Sequence, residues 1–168
     1  MLLLASTAVI SCASSHAAAP EASSGAPAPE RILAGCKERP LPSGAVRYDC
    51  QGFRAVEDDA PDGAGDPDGE VDELVAGVVQ EFGPLREKLG ARVRVEKSTL
   101  EVGGRETHAA KVSADDPARA GRTFAAGYVI VSGHRRLVCT TQAGGGQMGD
   151  GQESCGPAMR LLLDRGGR

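Results

Sequence analysis

The sequence predicts an α+β domain: a largely antiparallel sheet flanked by an amphipathic helix and a C-terminal helix. Three observations predict it. Two β-rich runs, Thr123 to Val131 and Arg135 to Thr141, are joined by the short turn Ser132-Gly133-His134 and read as a hairpin. A long stretch from Val71 to Leu89 carries helical rather than strand periodicity. Strand runs and helices are also segregated along the chain rather than alternating, which argues against a parallel α/β sheet. At 168 residues the chain suits one domain, and its 25% charged and 40% hydrophobic content is that of a globular protein. Aromatic residues are only 3% and Trp is missing, so the core must be built from Val, Leu, Ala and Ile.

The chain opens with the apolar run MLLLASTAVI, followed by Ser11 and Cys12. That run is too short to cross a bilayer as a mature helix and fits the apolar region of a signal peptide. Val9-Ile10-Ser11-Cys12 resembles the bacterial lipoprotein signal, or lipobox, although no basic residues precede the apolar run. The resemblance implies that residues 1–12 end at an acylated Cys12, which becomes the new N-terminus. Ala13 follows in place of the Asp that holds such proteins at the inner membrane, which implies an outer-membrane protein facing the periplasm. Ordinary secretion, with cleavage after Ala17, is the rival reading. Residues 13–31 are mostly Ala, Ser, Pro and Gly and cannot bury enough surface to offset their ordering entropy. They are expected to form a tether, with a single domain from 32 to 168.

Setting Cys12 aside leaves Cys36, Cys50, Cys139 and Cys155, an even number, which in an exported chain reads as disulfides. The local pairing, Cys36 with Cys50 and Cys139 with Cys155, is the expected one of three connectivities. Each bridge would restrict the unfolded chain by about 3 kcal/mol in the chain-entropy treatment. No Cys-x-x-Cys pair exists, so neither a zinc ribbon nor a redox-active dithiol is indicated.

Between the first two cysteines, Pro40, Pro42, Ser43 and Gly44 predict a turn, with short strands at Ala45 to Cys50 and Gly52 to Val56. Residues 57–73 are strongly acidic and hold no basic residue. Within them Asp66-Pro67-Asp68-Gly69-Glu70-Val71 resembles the middle of a calcium-binding EF-hand loop. The pattern fails at both ends, where Ala64 and Val75 replace its first Asp and last Glu. Carboxylates leading into a helix, favoured by the exposed N–H groups of its first turn, are the preferred reading. Val71, Leu74, Val75, Val78, Val79, Phe82, Leu85 and Leu89 then make one apolar stripe, from a helix starting near Glu70. Gly83-Pro84 should kink or stop it, with a final turn ending near Gly90.

Arg92 to Val102 alternates early, with Val93 and Val95 on one face, and Gly103-Gly104 is a plausible two-residue turn. Arg105 to Ala114 returns, with Ala110, Val112 and Ala114 inward. Asp115-Asp116-Pro117 begins a polar connection to the 123–141 hairpin. There the unbroken row Val129-Ile130-Val131 predicts a strand covered on both faces, in mid-sheet. The Gly-rich stretch 144–151 reads as a mobile loop. Cys155 should head a last helix, with Pro157 in its first turn and Ala158, Leu161 and Leu162 carrying it to Asp164.

The element order from Val46 to Arg165 resembles the PsbP-like (DcrB-type) fold, anchored on Tyr128-Val129-Ile130-Val131 and the Leu137-Val138-Cys139 return. That superfamily spans assembly factors, binding proteins and many lipoproteins, so the resemblance implies a fold and not an activity.

Signatures of catalysis are missing from the sequence: there is no Gly-x-Ser-x-Gly, His-Glu-x-x-His or P-loop. His108 reads as a half-exposed strand residue and His134, beside Arg135 and Arg136, as a solvated turn residue. The net charge of −4 and pI near 5.4 argue against nucleic acid. The expectation is therefore a non-catalytic envelope lipoprotein without metal or cofactor, anchored to the membrane and binding an envelope protein partner. The alternatives are a small-ligand or calcium module using the acidic 57–73 loop, and a hydrolase without a recognisable motif.

Overall fold

A computed structural model describes residues 29–60, 66–102, 104–141 and 149–165, excluding the side chains of 29–31 and 149–154. The element order is α1 (Pro29–Ala34), β1 (Lys37–Pro40), β2 (Val46–Asp49), β3 (Phe53–Asp59), α2 (Pro67–Glu81), α3 (Gly83–Leu89), β4 (Arg92–Val102), β5 (Arg105–Asp115), β6 (Thr123–Ser132), β7 (Arg135–Thr141) and α4 (Gly149–Arg165). The strands form one antiparallel sheet in the order β1-β2-β3-β7-β6-β5-β4. The α+β expectation holds, and the 123–141 hairpin supplies the sheet's central strands.

The helices cover opposite halves of the sheet's two faces. On one face α4, with α1 packed against it, lies over β3, β7 and part of β6. Cys155, Ala158, Met159 and Leu162 come down on Phe53, Ala55, Leu137 and Cys139. On the other face α2 lies over β5 and β6. Val71, Val75, Val78 and Phe82 meet Ala110, Val112, Ala114, Ala125, Val129 and Val131 there. β6 is thus enclosed as its apolar row predicts: Val129 and Val131 are buried beneath α2, and half-buried Ile130 faces the α4 side. Among the described residues each face keeps one half that no helix covers. The first lies over β4 and β5, the second over β1, β2 and β3.

Both disulfides form with the local pairing. Cys36–Cys50 ties the residue after α1 to the end of β2, and Cys139–Cys155 ties α4 to the central strand β7. Asp66 caps α2 by accepting the Asp68 N–H, and Pro67 occupies the first turn, where its missing donor costs nothing. The Gly83-Pro84 break separates α2 from α3. Gly90, at φ +65°, ends α3 in the left-handed conformation that favours glycine.

Four boundaries differ from the sequence expectation. α1 begins at Pro29, inside the stretch read as tether, because Leu33 finds a buried place in the α4-side core. β1 occupies residues assigned to no strand; all four of its side chains are exposed, so it carries no alternation to read. The turn follows it, closed by Leu41 N–H to Ala45 O at 2.8 Å. β3 runs on to Asp59, because Asp58 and Asp59 lie directly opposite Arg136 and Arg135 of β7, and opposite charges on facing strands stabilise the pairing.

α4, the fourth, starts at Gly149, so Cys155 and Pro157 sit within the helix rather than at its head. Cys155, Ala158, Met159 and Leu162 follow i, i+3, i+4, i+7, and burial of that stripe outweighs the hydrogen bond that Pro157 removes. Of the stretch read as a mobile loop, 144–148 lies outside the described residues and 149–151 is helical.

Candidate functional site

The half over β1, β2 and β3, together with the adjoining Arg136 of β7, is dominated by arginine. Residues directly opposite one another across antiparallel strands share a face. The register therefore places Lys37 and Arg39 of β1, Arg47 and Asp49 of β2, Arg54, Val56 and Asp58 of β3, and Arg136 of β7 together. Arg39 stands directly opposite Arg47, an arrangement that repels unless a carboxylate intervenes. Asp49 is that carboxylate. It lies 3.3 Å from Arg39, 3.0 Å from Arg47 and 3.4 Å from Arg54. Loss of hydration pushes the Asp49 carboxyl up, but the hydrogen bond and charge of Arg47, then Arg54 and Arg39, outweigh it and hold it below the usual range.

Two further carboxylates border the patch. Glu81, near the end of α2, is 3.7 Å from Arg54, and Asp58 binds Arg136 at 2.5 Å. Five cations thus face three carboxylates on a surface that no helix covers among the described residues, within a chain whose net charge is −4. The Nε groups of Arg47 and Arg136 are buried and make no hydrogen bond among the described residues. Arginines fixed by shared carboxylates still present planar donor groups, a geometry suited to carboxylate-rich surfaces.

An open depression of about 630 Å³ lies at the β6–β7 turn, lined by Glu57, Asp59, Arg105, Ser132, Gly133, His134 and Arg135. Of its polar side chains, Glu57, Ser132 and Arg135 are engaged in holding the fold. Arg135 pairs with Glu57 and donates to the carbonyls of Leu162 at 2.7 Å and Leu163 at 3.4 Å, closing the last turn of α4 where a cation is favoured. Burial lowers the pKa of its guanidinium. Ser132 Oγ accepts from Thr107 Oγ1 at 3.1 Å rather than pairing with His134. His134 is exposed, as its turn position implies, and its backbone carbonyl accepts the Ala60 N–H. Tyr48 donates to the same Glu57 at 3.3 Å, and burial first, then the charge of Glu38, raises its phenol pKa.

His108 is half-buried on β5, as expected, but has partners the sequence did not suggest. Nδ1 lies 2.9 Å from Asp68 and Nε2 3.6 Å from Glu106. The carboxylates approach different ring nitrogens; Asp68 joins α2 to β5, while Glu106 belongs to β5 itself. Among the described residues, no group of three or more His, Cys, Asp or Glu is placed to hold a metal ion. In the stretch resembling an EF-hand, Asp66 is the α2 cap, and Gly69 sits in the first helical turn. A Cβ at Gly69 would stand 2.9 Å from Asp66 Oδ2, so glycine there leaves room for the capping carboxylate.

Cys12 lies outside the described residues. The four remaining cysteines are brought together in pairs, while His108 and His134 are held apart in separate surroundings. The arginine face is not predicted by the sequence pattern. Its signal is the alternation of charged residues along Lys37-Glu38-Arg39 and Arg47-Tyr48-Asp49, which become one patch only when β1 pairs with β2.

Fold and site together define a disulfide-bridged α+β domain with a half-open sheet carrying an arginine-rich face. No protein-family model matches the chain, and no curated protein matches its sequence. Among the described residues, no helix is long and apolar enough to cross a membrane.

Proposed function

We propose that the chain is a non-catalytic binding module of the bacterial cell envelope, anchored through an acylated Cys12 and docking an acidic surface of a partner protein on its arginine face. The observation that carries the docking role is the convergence of Arg39, Arg47 and Arg54 on one carboxylate, on a half of the sheet that no helix covers among the described residues. An array held by shared ion pairs is ordered before binding, so little side-chain entropy remains to be lost on contact. The paired state of Cys36, Cys50, Cys139 and Cys155 supports an oxidising compartment. Ala13 after Cys12 favours the outer membrane, and residues 13–31 supply reach from the lipid surface.

The test compares three full-length proteins in the native envelope: wild type, Cys12→Ala, and Arg39→Glu with Arg54→Glu. Incorporation of an alkyne-bearing fatty acid should depend on Cys12 alone. Chemical cross-linking should give one stoichiometric partner with wild type, lost on reversing Arg39 and Arg54 while lipid labelling persists. Labelling that survives Cys12→Ala would refute the anchor. A partner retained after charge reversal would refute the docking face.

A further inference from the structure

Strand β4 is the other edge of the sheet, and it contributes little to the fold. It is 11 residues long, pairs with β5 along its whole length and, among the described residues, has no strand on its other side. Only Val93 and Val102 are better than exposed, because α2 reaches β5 and β6 but stops short of the edge. Among the described residues the exposed large hydrophobic side chains are Leu89, Val95 and Leu100. Two of these are on β4 and the third lies three residues before it. The apolar surface left uncovered by folding is therefore concentrated along one free strand edge, where an unpaired row of N–H and C=O groups can accept another strand.

Charges on an edge strand ordinarily keep other strands away, and β4 carries Arg92, Arg94, Glu96, Lys97 and Glu101. Their order, however, is self-complementary. When two copies of a strand pair antiparallel about a twofold axis normal to the sheet, the residue on the axis faces itself and its flanking residues face each other crosswise. An axis at Arg94, Glu96 or Lys97 sets like charges together, and one at Val93 opposes Arg92 to Arg94. An axis at Val95 stacks Val95 on Val95 and opposes Arg94 to Glu96 twice, with Arg92 facing Ser98. An axis at Thr99 would oppose Lys97 to Glu101, but Lys97 is already held by Asp72 at 2.5 Å. Arg94 is 68% exposed and holds Asp115 at the longer distance of 3.6 Å, so exchanging that partner for Glu96 of a second copy disrupts less.

We propose that β4 is a self-association edge, at which two copies pair antiparallel around Val95 and extend one continuous sheet through both. The partner is a second copy of this chain. Val95 against its counterpart supplies the apolar contact, and the paired Arg94 and Glu96 fix the register. The edge lies across the sheet from the arginine face, so a paired molecule presents two such faces.

The experiment uses the full chain carrying Cys12→Ala, so that no acyl chain drives association. Sedimentation velocity up to about 1 mM, the order of concentration that tethering produces, should show a monomer–dimer equilibrium. Glu96→Arg sets Arg opposite Arg94 at two places and should weaken the dimer by about 100-fold. Adding Arg94→Glu to that variant restores opposite charges and should recover the dimer, which an unfolded or generally damaged protein would not do. Under mild oxidation Val95→Cys should cross-link to a reducible dimer and Thr99→Cys should not. A monomer at every concentration overturns the proposal and leaves the edge to a strand of another protein. Failure of the charge swap to rescue, or cross-linking through Thr99→Cys in place of Val95→Cys, overturns it as well.

Discussion

Gly127 decides how closely α2 approaches the sheet, and replacing it tests the packing of that whole face. It lies in β6, fully buried, and a Cβ placed there would stand 2.4 Å from Val78 Cγ1. Comfortable carbon–carbon contact is about 3.5 to 4.0 Å, so Gly127→Ala creates an overlap of more than about 1 Å. Val78 cannot turn aside, because a β-branched side chain in a helix has essentially one rotamer. The helix must lift instead, loosening Val71, Val75 and Phe82 from the strands below. Overpacking of this kind costs about 1 to 3 kcal/mol, partly offset by the 0.5 to 1 kcal/mol that Ala gains over Gly in a strand. A net loss of about 1.5 kcal/mol is expected.

Urea denaturation of the oxidised protein measures that loss. With an m-value of about 2 kcal/mol per molar, the midpoint should fall by about 0.7 M at unchanged slope. Val78→Ala alone should also destabilise, by about 1 to 3 kcal/mol, through the cavity it leaves. Combined with Gly127→Ala it should cost less than the sum of the two by about 1 kcal/mol, since the new methyl enters the vacated space. A Gly127→Ala protein as stable as wild type, or strictly additive losses in the double variant, would refute the close approach.

Three other outcomes are expected. Asp66→Ala removes the α2 cap and should cost about 1 kcal/mol in the same assay, with calcium at millimolar levels giving no stabilisation that the substitution abolishes. Asp49 has a folded-state pKa below its ordinary 3.8, so its stabilising effect is complete above that value and is lost as pH falls through the lower folded value. Urea midpoints from about pH 6 to about pH 2 should therefore fall more steeply for wild type than for Asp49→Asn. Cys139→Ala with Cys155→Ala opens a bridge spanning 16 residues and should cost about 3 kcal/mol. Amide exchange should then accelerate in α4 much more than in α2; equal acceleration in both would show that the bridge does not act locally.

The central hairpin, the α2 stripe and the β4–β5 pair were legible because each carries its own periodicity over nine or more residues, with glycines at the turns. The local disulfide pairing was legible because short loops are the cheapest to close. What escaped reading lacked local pattern. β1 buries no side chain, and the first six residues of α4 lie before its apolar stripe begins. The carboxylates of 57–59 read as part of one acidic run, yet Glu57 and Asp58 are held by Arg135 and Arg136 of β7, nearly eighty residues away. His108 gave no hint of Asp68, forty residues back.

Periodicity and short-range chain closure were enough to predict the class of fold and the buried faces of α2, β5 and β6, and to favour the cysteine pairing that forms. Only the tertiary structure decided which half of each sheet face stays open. Coverage depends on where α2 and α4 cross the sheet, and thus on close contacts such as Gly127 with Val78 and on the anchoring of α4 to β7. That choice gathered dispersed arginines into one surface around Asp49 and left β4 bare at the opposite edge, because a strand's neighbours come from distant parts of the chain.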